Sequence, residues 1–212
     1  MTYSKDSIST LRKEIKKRLS EKRYSHTLGV EQMAMYLGAI ILPNKIDELC
    51  IAALLHDVTK ELSYDEQIRL LNESGANCSD EDISVKPAIH SISAVPLIKK
   101  DFHPYATSDV LSAVANHTLG ADNMSIFDEI IFISDYAEAG RTYPACQSVR
   151  KFILENINKN NSYEYNIKSL HSASLNAIRN TVDSLVRRDE PIHSKTLIAE
   201  KYFNGLIIEL SK

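Results

Sequence analysis

The stretch "AALLHDVTKE", Ala52–Glu61, ends an apolar run on adjacent His56 and Asp57, with Lys60 three residues further on. Two proton-carrying, metal-loving side chains stand where a core should begin. Ile46, Leu49, Ala53, His56 and Asp57 fall on one face at helical spacing, which predicts a helix ending near Thr59 with the His-Asp pair at its end. The same periodicity recurs on both sides. Ile8, Leu11, Ile15 and Leu19 form one stripe, and His26, Val30, Met33, Ala34 and Leu37 form a second that turns His26 inward. "SYDE", Ser63–Glu66, reads as a capping box opening the next helix.

Further along, a helix carrying His90 meets a kink or boundary at Pro96, and Val110, Val114 and His117 share another face. Asp135 belongs to an apolar segment with Ile126, Ile130, Ile131, Ile133 and Ser134. Pro144 suits the first turn of a helix through Leu154. "NKNNS", Asn158–Ser162, reads as a loop, followed by a long helix to about Arg188 and a last one from about Lys195. Six Gly and six Pro in 212 residues, with few alternating segments, leave little room for strands. The expectation is an all-α fold in a single domain over residues 1–212, with a core from about 20 to 140 and helices from about 144 to 210 packed on it.

Composition narrows the function classes. A chain 43% hydrophobic and 25% charged is an ordinary globular protein, and its net charge of −3 gives no long-range attraction to nucleic acid. The opening "MTYSKDSISTLRKEIKKRLSEKR" is polar throughout, without the apolar segment of a signal peptide, so the expected location is the cytoplasm, with no membrane partner. Cys50, Cys78 and Cys146 are odd in number and widely spaced, and are expected as free thiols in or near the core. "YEY", Tyr163–Tyr165, is a candidate contact for a homodimer or an exposed loop.

His26, His56, Asp57, His117 and Asp135 sit on stripes that otherwise bury apolar groups, and His90 is a sixth candidate. Any one of these histidines also reads as a hydrogen-bonded core residue. Together they are harder to satisfy, because unpaired buried carboxylates cost several kcal/mol and a divalent cation can serve several groups at once. Four imidazoles and two carboxylates suit iron, manganese, cobalt or zinc. Six ligands exceed a closed four-coordinate site. The natural reading is a binuclear hydrolase in which Asp57 and a hydroxide bridge two ions and the hydroxide attacks phosphorus.

The order H…HD…H…H…D resembles the HD-domain superfamily of metal-dependent phosphohydrolases. More of the wording is similar to the bacterial YqeK family: "RYSHTLGVEQMAMYLG" at Arg23–Gly38, "AALLHDVTK" at Ala52–Lys60, "NHTLGADNMS" at Asn116–Ser125 and "ISDYAEAGRTYPACQSVRK" at Ile133–Lys151. "RNTVDSLVRRDEPIHSKT", Arg179–Thr196, extends the likeness to the C-terminal helices. Departures are local. "HSISAVP" stands where the family has a Gly-Ala step after the histidine, and "DYAEAGR" replaces the commoner "DYIEPGR".

The resemblance implies an HD-domain helical bundle that cleaves diadenosine tetraphosphate symmetrically into two ADP at an iron site. It implies His26, His56, Asp57 and Asp135 as core ligands and His90 and His117 as holders of a second ion. It also implies catalytic roles for Asp57, Lys60 and Arg141. Substrate would meet Lys60, His90, His117, Thr118 and Arg141, under a loop of Pro191, Ile192, His193, Ser194, Lys195 and Thr196. Lys60 and Arg141 fit, since polyphosphate charge needs cationic donors. Two other readings stay open: a different HD-type nucleotide phosphohydrolase or phosphodiesterase, and a non-catalytic nucleotide-binding protein that keeps the metal for stability.

Overall fold

The computed structural model describes residues 3–210, and all regular elements among them are helical. The outermost four positions of the expected 1–212 domain lie outside the described residues. In chain order the helices are α1 (Lys5–Arg18), α2 (Glu21–Ile41), α3 (Ile46–Leu55), α4 (Tyr64–Ser74), α5 (Asp80–Ser84), α6 (Ile89–Asp101), α7 (Ser108–Asn116), α8 (Ile126–Ala137), α9 (Pro144–Asn156), α10 (Tyr163–Arg187) and α11 (Ser194–Glu209).

Their starts are written into the sequence. Ser20, Ser63, Thr107, Ser125 and Ser162 each accept a backbone N–H of the first turn through their hydroxyl oxygen, a cap worth about 1 kcal/mol. The capping box at Ser63 and Glu66 is formed as expected. Pro144 opens α9 at a position whose N–H would have no helical partner anyway.

α3 is the centre of the molecule. Every residue from Glu48 to Leu55 is buried, and a helix apolar on all sides must be enclosed by others. α1, α2, α7 and α8 pack around it, α6 bridges α4 and α7, and α10 lies against α8, α9 and α11. One hydrophobic cluster runs through these helices from Ile8 to Phe203. Truncating a fully buried member such as Leu54 to Ala is expected to cost about 2–5 kcal/mol. No helix of the described residues is long and apolar enough to cross a membrane.

Several boundaries differ from the sequence reading. α3 stops at Leu55, not near Thr59, because the chain tightens into three-residue turns: Val58 N–H donates to Leu55 O, Lys60 N–H to Asp57 O and Leu62 N–H to Thr59 O. α6 runs through Pro96 to Asp101. Pro96 has no N–H to donate to the carbonyl of Ile92, and both residues border a surface cavity. α5 was not foreseen, since its five residues show no apolar periodicity. The three cysteines are free, but Cys78 lies half-buried in the connection after α4 and borders that same cavity. Tyr163 and Tyr165 are exposed on the first turn of α10.

Candidate metal centre

Four imidazoles converge from four helices, and local backbone geometry aims three of them. His56 follows the last residue of α3 and turns its Nδ1 back to Ala53 O at 2.6 Å. His117 repeats this after α7 with Val114 O at 2.6 Å, and His90, at the start of α6, does so with Pro87 O at 3.0 Å. Each ring thus bonds the carbonyl three residues earlier. A carbonyl oxygen only accepts, so at His56 and His117 the proton of the neutral ring sits on Nδ1 and the Nε2 lone pair points inward, while His90 Nδ1 lies between Pro87 O and the Lys60 ammonium. His26, on α2, has its Nδ1 3.1 Å from Glu138 Oε1. A second partner that fixes tautomer and orientation is typical of metal-binding histidines.

Asp57 stands between these rings. Its Oδ1 is 3.1 Å from His90 Nε2 and 3.7 Å from His117 Nε2, while its Oδ2 is 3.4 Å from His56 Nε2 and 3.7 Å from His26 Nε2. The two oxygens therefore divide the four imidazoles into two pairs. Asp135, on α8, faces the second pair, with Oδ1 3.0 Å from His26 Nε2 and 3.9 Å from His56 Nε2. Ligand atoms of His26, His56 and Asp135, and of His56, Asp57 and His117, lie within 4.8 Å of one another.

These groups fit divalent ions better than they fit each other. His56 Nε2 is buried without a hydrogen-bond partner among the described residues, and His26 Nε2 has the Asp135 carboxylate at 3.0 Å. His90 Nε2 and His117 Nε2 face each other at 3.0 Å, and the His117 proton is committed to the far nitrogen by Val114 O. Imidazole nitrogens and carboxylates crowded on one point are the donor set a cation requires, and without one His26 holds a proton against Asp135 instead. No sulfur is among them.

Cationic side chains close the centre. Arg23 Nη1 reaches Asp57 Oδ2 at 2.7 Å, and Arg141 Nη2 reaches Asp135 Oδ1 at 2.6 Å. Lys60 Nζ lies 3.1 Å from His90 Nδ1 and 3.2 Å from Pro87 O. Thr118 Oγ1 is 3.1 Å from His90 Nε2 and 3.0 Å from His117 Nε2. Burial raises the Asp57 carboxyl, but His56, His117 and His90 outweigh it and hold the group well below the usual carboxylate range. Asp135 is held low in the same way by His26, Arg141 and His56 against its burial. Burial opposes protonation of His26, yet Asp135 and Glu138 bring it up to about 9. Burial dominates at His90, which falls to about 4, and lowers the Lys60 ammonium against the pull of Asp57 and Asp135.

The structure brings His26, His56, Asp57, Lys60, His90, His117, Thr118, Asp135 and Arg141 into one cluster. Of the C-terminal loop only Thr196 reaches it, bordering a cavity of 150 Å³ with His117, Thr118 and Asp135. Pro191 is exposed and Ile192 half-buried. His193 is buried and caps α11, Ser194 bonds Glu81 through N and Oγ at 2.7 and 2.6 Å, and Lys195 Nζ meets Asp82 Oδ1 at 2.6 Å.

Arg23 and Glu138 were not singled out from the sequence. Both lie three residues from a chemical residue, His26 or Asp135. Helical spacing places Arg23 near His26 on α2, whereas Glu138 follows the end of α8 and gives no periodic signal. Glu138 packs where Gly29 leaves space, since a Cβ on Gly29 would collide with its carboxylate.

A His-Asp cluster gathered from several helices of an all-α bundle defines a class. Residues 23–140 match the HD domain, and the chain belongs to the HD-domain family. Two relatives named symmetrical bis(5'-nucleosyl)-tetraphosphatase are similar along nearly their whole length. That of Staphylococcus aureus is 30% identical over 89% of this chain and 90% of its own, and that of Halalkalibacterium halodurans is 28% identical over 92% and 94%. The crystal structure of a Clostridium acetobutylicum protein, described as a predicted HD superfamily hydrolase involved in NAD metabolism, matches with a TM-score of 0.79 at 30% identity, over 97% of this chain and 100% of that one. These likenesses put the chain in the YqeK branch of the family.

Proposed function

We propose that the protein hydrolyses diadenosine tetraphosphate symmetrically, adding water across the central P–O–P link to give two ADP. The observation that supports this most is the division of the four imidazoles by the two oxygens of Asp57, which suits a bridged pair of ions. The names of the similar proteins supply the substrate. His26, His56, Asp57 and Asp135 would hold one ion, and His90 and His117 with Asp57 the other. Iron is the metal that the family resemblance implies, with manganese, cobalt or zinc as substitutes. Such ions, when bound, lower the pKa of a water to near neutral, supply the attacking hydroxide and offset charge on phosphoryl oxygens.

The chain's own groups do the rest. Arg23 and Arg141, fixed on Asp57 and Asp135, present further N–H groups to phosphate. Lys60 and Thr118 lie on the His90–His117 side and would meet the opposite phosphate oxygens. ADP is a good leaving group and needs little proton donation. Thr196 would contact the retained nucleotide, with the rest of the 191–196 loop around it. Resolving the products of diadenosine tetraphosphate by ion-exchange chromatography tests the reaction: ADP alone is expected, and AMP with ATP would sink it. The Clostridium protein's connection to NAD metabolism favours another nucleotide as the second reading, which a substrate panel separates.

A further inference from the structure

The metal centre has two sides. His117, Thr118 and Asp135 face the small cavity beside Thr196, and its 150 Å³ is below the volume of about 300–1,000 Å³ usual for small-molecule sites. His26 and Arg141 face the other way, into a cavity of 750 Å³ between α2 and the segment joining α8 to α9. That volume is within the range.

The wall of the larger cavity changes character outward. At its inner end are Arg23 and Arg141, each held in place by a carboxylate of the centre. Further out are Lys22, Gln32 and Tyr143, whose side chains make no hydrogen bond or ion pair among the described residues. Tyr143 is 70% exposed just ahead of α9, so its ring offers a free face. On α2 Lys22 stands beside Arg23, whereas Gln32 lies about 15 Å further along the helix, past His26. A cationic end and an amide end of one cavity, with an open aromatic ring on its rim, suit the phosphates and the base of a nucleoside diphosphate.

We infer that this cavity is a second nucleotide subsite, which receives the departing nucleoside diphosphate half of the substrate. Its phosphates lie against Arg23, Arg141 and Lys22, and its base stacks on Tyr143 with Gln32 at its edge. The inference rests on the proposed reaction, because a substrate with two identical ends needs room on both sides of the centre. It adds a reason for central cleavage: two subsites flanking one centre measure the phosphate chain from both ends.

Calorimetric titration of the metal-loaded protein with ADP tests the subsite without turnover. Two ADP per chain are expected. In Lys22→Glu/Tyr143→Ala, both changes at exposed side chains, one ADP should bind at least about fivefold more weakly and the other unchanged. KM for diadenosine tetraphosphate should rise in the same variant, and KM for adenosine 5'-tetraphosphate, which can leave that cavity without a base, should not. A single ADP per wild-type chain, or two that ignore the substitutions, overturns the subsite. Two ADP sensitive to the substitutions in a protein that does not cleave diadenosine tetraphosphate would uphold the subsite and contradict the reaction.

Discussion

His56, His90 and His117 of the metal centre and the loop from Pro191 to Thr196 are all polar positions at helix ends, held by opposite means. Three of the imidazoles are anchored on the carbonyl three residues before them, inside their own turn of chain. The loop is anchored on Glu81 and Asp82 of α5, with Ser194 reaching a residue 113 positions away. The first arrangement is set by local geometry within a buried shell. The second depends on Asp82, whose side chain is 11% exposed, and on Glu81, which at 42% exposed makes the kind of surface contact that contributes about 0–1 kcal/mol. The metal centre is therefore held within its own turns of chain, and the loop proposed to meet nucleotide is tethered by contacts between distant segments.

The comparison breaks hardest at Asp57. Asp57→Asn removes the charge shared by both imidazole pairs, and activity should fall by more than the 10–100-fold typical of outer partners, with bound metal lost on elemental analysis. Glu138→Gln leaves His26 without its anionic partner, and metal affinity should drop by about 10–100-fold in a competition titration. Gly29→Ala should act in the same direction by pushing the Glu138 carboxylate aside.

The metal-free protein should show the centre's electrostatics in its thermal stability. His26 is raised to about 9 when folded, so its contribution is complete below about pH 6.5 and disappears as pH climbs through 9. His90 is depressed to about 4, so the unfolded chain binds the extra proton and stability is lost as pH falls from about 6.5 towards 4. Tm measured with a chelator should peak near pH 6.5, and His26→Gln should flatten the alkaline limb. Divalent metal should reverse that limb, since binding requires the unprotonated ring.

The smallest effect is expected at the loop. Glu81→Ala should raise KM by no more than about fivefold and hasten proteolysis between residues 188 and 194, with metal content unchanged. A loss of metal in that variant would show that the two regions are coupled after all.

The same contrast explains what could be read in advance. His26, His56, His117 and Asp135 stood out because helical spacing placed them among Val30, Ala53, Val114 and Ile131 on faces that had to be buried. Caps at Ser63 and Pro144 marked their helix starts for the same local reason. The extent of α3 was misjudged, because a histidine folding back on Ala53 ends the helix without any Gly or Pro signal. α5 and its hold on Ser194 and Lys195 were invisible, since a contact between distant polar residues leaves no period. Glu138 lay unnoticed beyond the end of α8 for a similar reason.

Metal stoichiometry tests the central claim most directly. Chelator-stripped protein titrated anaerobically with ferrous iron should take up two ions per chain, and Asp57→Asn should lose both. A folded wild-type protein that binds no iron, or binds one ion that the Asp57 substitution leaves in place, would contradict a centre bridged by Asp57.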